Sequence, residues 1–384
     1  MAALAVISVP YLTIFLVENQ KLNQEEIIIL MAFNLTFFEN QDLINALNHN
    51  REIRKKLYAD FLRTGDFRYY NSYVDASYTL EAFSTLGKKR PLTEVEFRIL
   101  ITNLKANNAY YYIHTSPQVD VQMGTFSSKS PYDDYKKFTD TKFTSKLPFV
   151  YYKGQGWQLY PVTSTFWASV YFERGDYQSG IEILDELSQY MSVEEYKGMK
   201  YGLFKVYFKH SNSSIPWTSS YSQGMAAGLY AQAYNKTKDK KYLDQSNLLF
   251  SSFKIPLNEG GFITPTKFGN WFLEYNFKPD HLILNGHIIT MKGIYNYYQV
   301  TGDPFALELF KNGTTSVKNI LPPMDSGDWS YYALTGKDAK PAWKASEYYH
   351  GLDVELLKWL YATTGDVFFN EYATKWDNYL KNKK

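Results

Sequence analysis

The sequence predicts a mainly α fold, an (α/α) barrel or toroid of helical hairpins with a helical N-terminal extension. Three observations support this prediction: a turn motif that repeats, inner helices that are apolar on every side, and polar–aromatic clusters that recur at one phase of the repeat. An open helical solenoid is the competing architecture, because it is also built from repeated helix pairs.

The repeated motif is a Tyr, three further residues, a Gly or Lys, and then an Asp. It occurs at residues 171–176, 234–239, 298–303 and 361–366, so that successive Asp residues are 63, 64 and 63 positions apart. A looser copy lies at 61–66. Gly is the preferred residue just after a helix and Asp the preferred residue just before one. Each copy therefore predicts a tight turn that ends one helix and begins the next.

The helices that precede these turns are apolar all round, which predicts that they are buried on both sides. They cover residues 164–171, 224–234, 286–298 and 354–361. The repeat is longer than a helical hairpin needs, so each hairpin must be followed by a long connection. Long connections allow successive hairpins to circle a common axis, and this favours the toroid.

The domain organisation follows from where the repeat begins. Residues 151–384 form the predicted barrel domain, and residues 21–150 a mostly helical region with a long surface loop at 115–146. Residues 1–20 are largely apolar and could be a signal, an anchor or a buried first helix. We expect this segment to attach the protein to a membrane or to target it there, which makes the protein extracytoplasmic or membrane-associated.

Composition excludes several classes of function. The formal net charge is +2 and the basic residues are dispersed, which argues against a nucleic-acid partner. There is no Cys, the six His form no zinc-binding pair, and no glycine-rich phosphate loop occurs. We therefore expect no metal and no cofactor, while a homodimer is compatible with the sequence.

Polar–aromatic clusters precede every inner helix, so a toroid would gather them at one mouth. They occur at residues 154–161, 216–224, 270–275, 325–332 and 347–350. Aromatic rings with amide, hydroxyl and carboxyl groups are what a carbohydrate site needs. The predicted substrate-binding residues are Trp157, Tyr160, Trp217, Gln223, Trp271, Asn285, His350 and Lys344.

The same residues resemble the D-glucuronyl C5-epimerases, which convert glucuronic to iduronic acid within heparan-type chains. The resemblance covers about residues 150–384. The family's Trp-Tyr-Glu-Glu-Tyr…Leu-Asn-Gly run corresponds to 271–275 and 284–286, and its Leu-Pro-x-x-Asp-x-Gly…Tyr-x-Leu run to 321–327 and 332–334. Its Trp-Asp-Tyr-His corresponds to 347–350, its Ala-Gln-Gly to 222–224 and its Tyr-Tyr-Pro to 159–161. The family's catalytic domain is an (α/α) barrel, whereas its β-rich domain has no evident counterpart here.

The resemblance implies that Glu274, Tyr275, Tyr332 and Tyr349 are the catalytic residues of a uronate C5-epimerase. Epimerisation needs two acid–base groups on opposite faces of C5, and Glu274 with Tyr349 could supply them. Tyr349 can act as a base only if a neighbouring cation or hydrogen bonds favour its phenolate. The candidates for this effect are His350, Lys344 and Lys267. Tyr275, Tyr332 and Asn285 would position the uronate.

Departures from the family pattern bear on the substrate. Two family arginines are replaced by Thr335 and Ser346, and a family Trp by Glu347. Because Thr and Ser cannot form the paired hydrogen bonds of Arg, we expect a uronate glycan that is not densely sulfated. Two alternatives remain open: a polysaccharide lyase or glycoside hydrolase on the same scaffold, and a non-catalytic glycan-binding protein.

Overall fold

The computed structural model describes Glu26, Ile28, Ile29 and residues 37–383. The predicted targeting segment at 1–20 lies outside the described residues. Within the described part of the chain, no helix combines the length and the hydropathy that crossing a membrane requires. Two compact units make up the fold. The first contains the described residues up to Ser164, together with Asp185–Tyr190 and Tyr207–His210, and the second contains the rest.

The first unit pairs three long helices with a small sheet. Its elements are α1 (Phe37–Thr64), α2 (Phe67–Gly87), α3 (Glu94–Tyr111), β1 (Val121–Thr125), β2 (Lys136–Lys137), β3 (Pro148–Tyr152) and β4 (Gly156–Leu159). A capping box begins α3, where Thr93 and Glu96 each satisfy the backbone N–H of the other. The strands are ordered β2-β1-β3-β4, with β1 antiparallel to β3 along its full length.

This sheet corrects the prediction of a surface loop at 115–146. Residues 121–125 and 136–137 are strands, and β1 finds its main partner in β3, more than twenty residues further along the chain. Short strands with polar residues carry little periodicity of their own. Pairing with the buried strand β3 is what orders them, and no local pattern in the sequence reports that pairing.

The second unit consists mainly of helical hairpins joined by short strands. Its elements are most of α4 (Pro161–Glu173) and of α5 (Tyr177–Ser188), β5 (Met191–Tyr196), β6 (Met199–Val206), β7 (Trp217–Thr218), α6 (Ser220–Thr237), α7 (Lys240–Ser251), β8 (Ile263–Thr266), β9 (Gly269–Phe272), β10 (His281–Ile283), α8 (Leu284–Thr301), α9 (Pro304–Met324), β11 (Ala333–Thr335), β12 (Lys340–Pro341), α10 (Glu347–Thr364) and α11 (Val367–Lys381). The prediction of a mainly α chain built from helical hairpins is therefore confirmed. Closure of the hairpins into a ring stays a prediction.

The repeated motif forms the predicted turns. Lys238, Gly302 and Gly365 adopt the left-handed conformation at the C-terminal ends of α6, α8 and α10, with φ between 60° and 72°. The next residue in each case, an Asp, accepts a hydrogen bond from a backbone N–H of the following helix. The upstream copy behaves in the same way, because Gly65 has φ of 70° and Asp66 caps α2.

Helices α6 and α8 pack closely because glycines line their contact. A Cβ added to Gly228 would lie 2.5 Å from the carbonyl oxygen of Gly293, and one added to Gly224 would lie 2.7 Å from that of Thr290. The two helices therefore touch through their backbones and run in the same direction. Every residue from Tyr221 to Ala231 is buried, as predicted for an inner helix.

Helix α10 also runs parallel to α8. Asn285 in the first turn of α8 is the polar neighbour of Asp353 in α10, and the ring of Tyr295 lies 6.3 Å from that of Trp359 further along both helices. Helices α6, α8 and α10 therefore begin at one end of the second unit. Their Gly/Lys-Asp turns lie at the opposite end, which leaves the starting end to the long connections.

Candidate active site

The connection between β9 and β10 holds Glu274 at the start of α8. On one side of Glu274, Leu273 donates its N–H to the Phe262 carbonyl and accepts a hydrogen bond from Ser220 N–H. On the other side, Asn276 and Thr218 exchange two hydrogen bonds, at 3.2 and 3.1 Å. The backbone that carries the carboxyl is thus fixed on both sides.

A buried histidine fixes the preceding strand. His287 in α8 accepts a hydrogen bond at Nδ1 from Phe272 N–H, 2.9 Å away, and its Nε2 lies 3.3 Å from the Gly313 carbonyl oxygen. The Trp271 ring stacks on the imidazole with 3.9 Å between centroids. Burial lowers the pKa of His287 to about 3, so the ring is neutral and serves as a connector between β9 and α8.

One oxygen of the Glu274 carboxyl is buried. The residue as a whole is half-buried, but its Oε2 is shielded from solvent and has no hydrogen-bond partner among the described residues. Burial raises the pKa of the carboxyl to about 7, and a hydrogen bond from the Tyr275 phenol opposes this shift in part. A carboxyl with a pKa near 7 can both accept and return a proton at neutral pH.

Gly286 makes the position of this carboxyl possible. A Cβ added to Gly286, in the first turn of α8, would lie 2.5 Å from Glu274 Oε2. Glycine is therefore the residue that lets the carboxyl rest directly on the helix. The resemblance marked Gly286 as part of a motif, but its contact with Glu274 was not predicted.

Tyr349 and Tyr332 lie together on the exposed side of the same site. Their rings are 5.0 Å apart in an edge-to-face arrangement. Burial raises the pKa of Tyr349, and the charge of nearby Glu274 raises it further. Tyr349 is therefore a neutral phenol beside the Glu274 carboxyl.

None of the three predicted cations favours a Tyr349 phenolate. Lys344 forms an ion pair with both oxygens of Asp328, and Lys267 donates to the Asp338 carbonyl. Burial lowers the pKa of His350, and its two ring nitrogens lie against Ser330 Oγ and the Trp376 carbonyl oxygen. The surroundings therefore favour the protonated phenol in the resting site, and a role for Tyr349 as a base stays a prediction.

Asp353 is a functional candidate that the sequence analysis missed. It lies one helical turn after Tyr349 in α10, is fully buried, and has neither carboxylate oxygen paired within the described part of the chain. Burial raises the pKa of Asp353 well above its ordinary value, although the nearby Asn285 amide opposes the shift. The Asn285 Nδ2 is likewise buried and unpaired among the described residues. The available signal was an acidic residue directly before the apolar run of an inner helix.

Three tryptophans predicted to stack on sugars are core residues instead. Trp157 and Trp271 have no exposed surface, and Trp217 is 2% exposed. Trp157 packs against Tyr110, Phe138 and Tyr151 in the first unit, where Tyr160 is also buried. A ring without a free face cannot stack on a sugar, so these predicted roles are corrected.

Two other predicted substrate-binding residues are internal connectors. Gln223 is fully buried, accepts from Phe204 N–H and donates to the Gly202 carbonyl, and so joins α6 to β6. His350 is fully buried under the Trp329 ring, with 3.9 Å between centroids. Both are polar residues whose hydrogen bonds are made within the protein. Of the predicted binding set, Asn285 borders the site and Lys344 is exposed.

Comparison with known proteins supports the resemblance to D-glucuronyl C5-epimerases. Residues 195–378 match the family model described as the D-glucuronyl C5-epimerase C-terminus. A D-glucuronyl C5-epimerase of Caenorhabditis elegans is 29% identical over 182 residues, which are 44% of this chain and 29% of that protein. An uncharacterized protein of Methanocaldococcus jannaschii is 34% identical over 169 residues, 43% of this chain and 53% of that protein.

The matched region thus spans about half of one curated relative and less than a third of the other. Among solved structures, the GH76 alpha-mannanase BT2949 of Bacteroides thetaiotaomicron is similar, with a TM-score of 0.37 and 15% sequence identity over 57% of this chain and 58% of that one. The family match includes Glu274, Tyr332, Tyr349 and Asp353, whereas Trp157 and Tyr160 lie outside it.

Proposed function

We propose that this protein is an epimerase that inverts C5 of uronic acid residues within a glycan. The observation that carries the proposal is the pairing of two proton-transfer groups of different pKa. Glu274 has a pKa of about 7, and the Tyr349 phenol beside it has a pKa raised above its ordinary value. Groups whose surroundings separate their pKa values in this way are suited to act as base and acid respectively.

In the proposed reaction, the Glu274 carboxylate removes the proton from C5. The electron pair of the broken C–H bond moves into the adjacent carboxylate of the substrate and forms an enediolate. Tyr349 then delivers its phenolic proton to the opposite face of C5, which forms the new C–H bond and leaves a phenolate. Exchange of protons with solvent restores both groups, and the reverse reaction uses them in exchanged roles.

Neutral hydrogen-bond donors are available for the developing enediolate. The Asn285 amide and the Asp353 carboxyl are buried neighbours, and burial raises the pKa of Asp353, which favours its protonated form. A protonated carboxyl and an amide can stabilise an oxyanion without the charge of an arginine. Tyr275 is placed to tune Glu274 through its hydrogen bond, and Tyr332 to orient the substrate beside Tyr349.

Isotope exchange tests the proposal directly. The full chain is incubated with unsulfated glucuronate-containing oligosaccharides in deuterated water, and the products are examined by mass spectrometry and NMR. We expect deuterium at C5 and an unchanged chain length, with Glu274→Gln as the inactive control. An unsaturated end would indicate a lyase, and shortened chains without C5 deuterium would indicate a hydrolase.

The preference for low sulfation belongs to the same proposal. Turnover is compared on unsulfated and sulfated uronate oligosaccharides over a series of salt concentrations. We expect higher turnover on the unsulfated chains and a shallow salt dependence, because the two family arginines are Thr335 and Ser346 here. Faster turnover of sulfated chains, weakened steeply by salt, would contradict this preference.

The proposal also includes the architecture, the cellular location and the oligomeric state of the enzyme. We propose that the hairpins close into a toroid and that the protein is a homodimer. We also propose that residues 1–20 attach it to a membrane in an extracytoplasmic location. Fractionation of cells that express the chain with and without residues 1–20 tests the attachment and the location. Light scattering of the purified protein tests the dimer.

A further inference from the structure

Four aromatic side chains form a continuous strip at the candidate active site. We call Tyr332, Trp343, Tyr348 and Tyr349 the aromatic strip. The Tyr332 ring lies 5.6 Å from Trp343 and 5.0 Å from Tyr349, and the Tyr348 ring lies 5.3 Å from Tyr349. Tyr332 and Tyr349 belong to the candidate catalytic set, so the strip leads directly out of the reaction centre.

The outer members of the strip are unusually open to solvent. Trp343 is 57% exposed and Tyr348 is 65% exposed, whereas Trp157, Trp217 and Trp271 are buried. A contiguous group of exposed large aromatic rings next to a site marks a binding surface, because rings that serve only the core are buried. Trp and Tyr are also the residues most often used as rigid anchors in recognition.

The strip is held in place by backbone hydrogen bonds. Tyr332 N–H donates to the Trp343 carbonyl at 2.8 Å, and Ala342 N–H donates to the Ala333 carbonyl at 2.9 Å. Strands β11 and β12 close this hairpin, and Ser346 caps the helix that carries Tyr348 and Tyr349. The rings are therefore preorganised, which reduces the entropy that a ligand must overcome on binding.

Two ion pairs beside the strip neutralise two of its lysines, which favours a neutral ligand. Lys344 is bound to Asp328 and Lys383 to Glu347, with both nitrogen-to-oxygen distances 2.6 Å. The sequence contains no arginine after Arg174. Bidentate recognition of sulfate or carboxylate groups by an arginine is therefore not available from the second unit beyond that position.

We propose that the aromatic strip is a sugar-binding subsite for an uncharged pyranose next to the reacting uronate. The pyranose would be a hexose or an N-acetylhexosamine, with its apolar C–H face against Trp343 and Tyr348. Tyr332 and Tyr349 then mark the boundary between this subsite and the reaction centre. This inference rests on the proposed function, since it assigns the sugar that neighbours the epimerised residue.

Binding measurements without turnover test the subsite. In the full-length chain carrying Glu274→Gln, the affinity for an unsulfated glucuronate-containing hexasaccharide is measured by calorimetry. We expect Trp343→Ala and Tyr348→Ala to weaken it by about tenfold each, a typical cost of removing an aromatic anchor. Trp343→Phe should recover most of the affinity because it retains a ring. Unfolding temperatures verify that each variant is folded.

Tyr361→Ala is the matched control. Tyr361 is 38% exposed and lies at the other end of α10, in the Gly-Asp turn motif. We expect the affinity of the Tyr361→Ala variant for the hexasaccharide to be unchanged. The loss caused by Trp343→Ala should also be smaller for a disaccharide, which does not extend along the strip.

Two results would contradict the proposed subsite. One is that the hexasaccharide does not bind, and the other is that Trp343→Ala and Tyr348→Ala leave the affinity of the Glu274→Gln protein unchanged. These outcomes are distinct from failure of the proposed reaction, which would be absence of C5 deuterium. A protein that binds the hexasaccharide through Trp343 without exchanging the C5 proton would retain the subsite and lose the epimerase assignment.

Discussion

Glu274 Oε2 rests on the first turn of α8 beside Gly286, which leaves room for it. A Cβ on Gly286 would lie 2.5 Å from this oxygen and 3.1 Å from the Glu274 Cβ. The carboxyl therefore occupies the space that a Cβ at position 286 would need. Activity and packing are coupled at this contact, because the atom displaced by a larger residue is the proposed proton acceptor.

Gly286→Ala should lower turnover while leaving the fold intact. The new methyl group must displace the Glu274 carboxyl, which is the end of a flexible side chain, and the Glu274 Cβ at 3.1 Å must give by a few tenths of an ångström. A displacement of about 1 Å at a reacting group can lower the rate by on the order of 10²-fold. Steady-state kinetics and the unfolding temperature measure the two effects.

Gly351→Ala provides the control for that substitution. Gly351 also lies in an inner helix, and an added Cβ would meet no atom within 4 Å. Alanine there should retain activity and add up to about 1 kcal/mol of stability through helix propensity. Full activity of Gly286→Ala would disprove the functional importance of the contact.

The pH dependence of kcat/KM should show the ionisation of Glu274. Its pKa of about 7 is raised by burial, so the carboxylate that accepts the C5 proton is lost as the pH falls below that value. We expect kcat/KM to decrease about tenfold per pH unit below this point and to level off above it. A profile that is flat between pH 5 and 8 would exclude Glu274 as the base.

Removing single hydroxyl groups should separate the roles of the two tyrosines. Tyr349→Phe eliminates the proposed acid, and we expect turnover to fall by at least 10²-fold, the scale of general-acid loss. Tyr332→Phe keeps the ring that contacts Trp343 and Tyr349, and a fall of similar size is expected if its hydroxyl orients the uronate. Formation of the C5 epimer by Tyr349→Phe at the normal rate would contradict the assignment.

Asp353→Asn should change how stability depends on pH. Burial raises the folded-state pKa of Asp353, so its proton is bound more tightly in the folded than in the unfolded protein. The wild-type protein therefore loses stability as the pH rises from about 4 towards the folded pKa, by up to about 1.4 kcal/mol per pH unit. The asparagine lacks this titration.

Urea unfolding of both proteins at several pH values between 5 and 8 measures this effect. The stability of Asp353→Asn relative to wild type should increase with pH, since all other groups titrate alike in the two proteins. Glu355→Gln, which alters an exposed carboxyl two residues away, should produce no such trend. A constant difference between Asp353→Asn and wild type would mean that Asp353 is ionised in the folded state.

The turn at Lys238 offers a test of the repeat. Lys238 has φ of 60°, a conformation that the equivalent Gly302 and Gly365 adopt without a side-chain penalty. We expect Lys238→Gly to raise the free energy of unfolding by about 1 kcal/mol, and Gly302→Ala to lower it by a similar amount. Thermal unfolding measures both. Destabilisation by Lys238→Gly or stabilisation by Gly302→Ala would refute the shared turn geometry.

The helical hairpins and the central residues of the candidate site could be predicted without any coordinates. The Gly/Lys-Asp turns could be predicted because capping involves atoms only a few residues apart along the chain. Glu274 and Tyr349 were found because ordered motifs carry the family resemblance, and residues 195–378 match that family. The apolar α6 and α8 likewise revealed their burial through local composition.

Which polar and aromatic residues face the site could be read only from the three-dimensional packing. Trp271 in β9 and Trp343 after β12 are the same residue type, yet one has no exposed surface and the other is 57% exposed. Glu274 contacts Gly286, and Asn285 contacts Asp353, across different segments of the chain. Exposure and pKa depend on everything that surrounds a side chain, and most of those neighbours are distant in sequence.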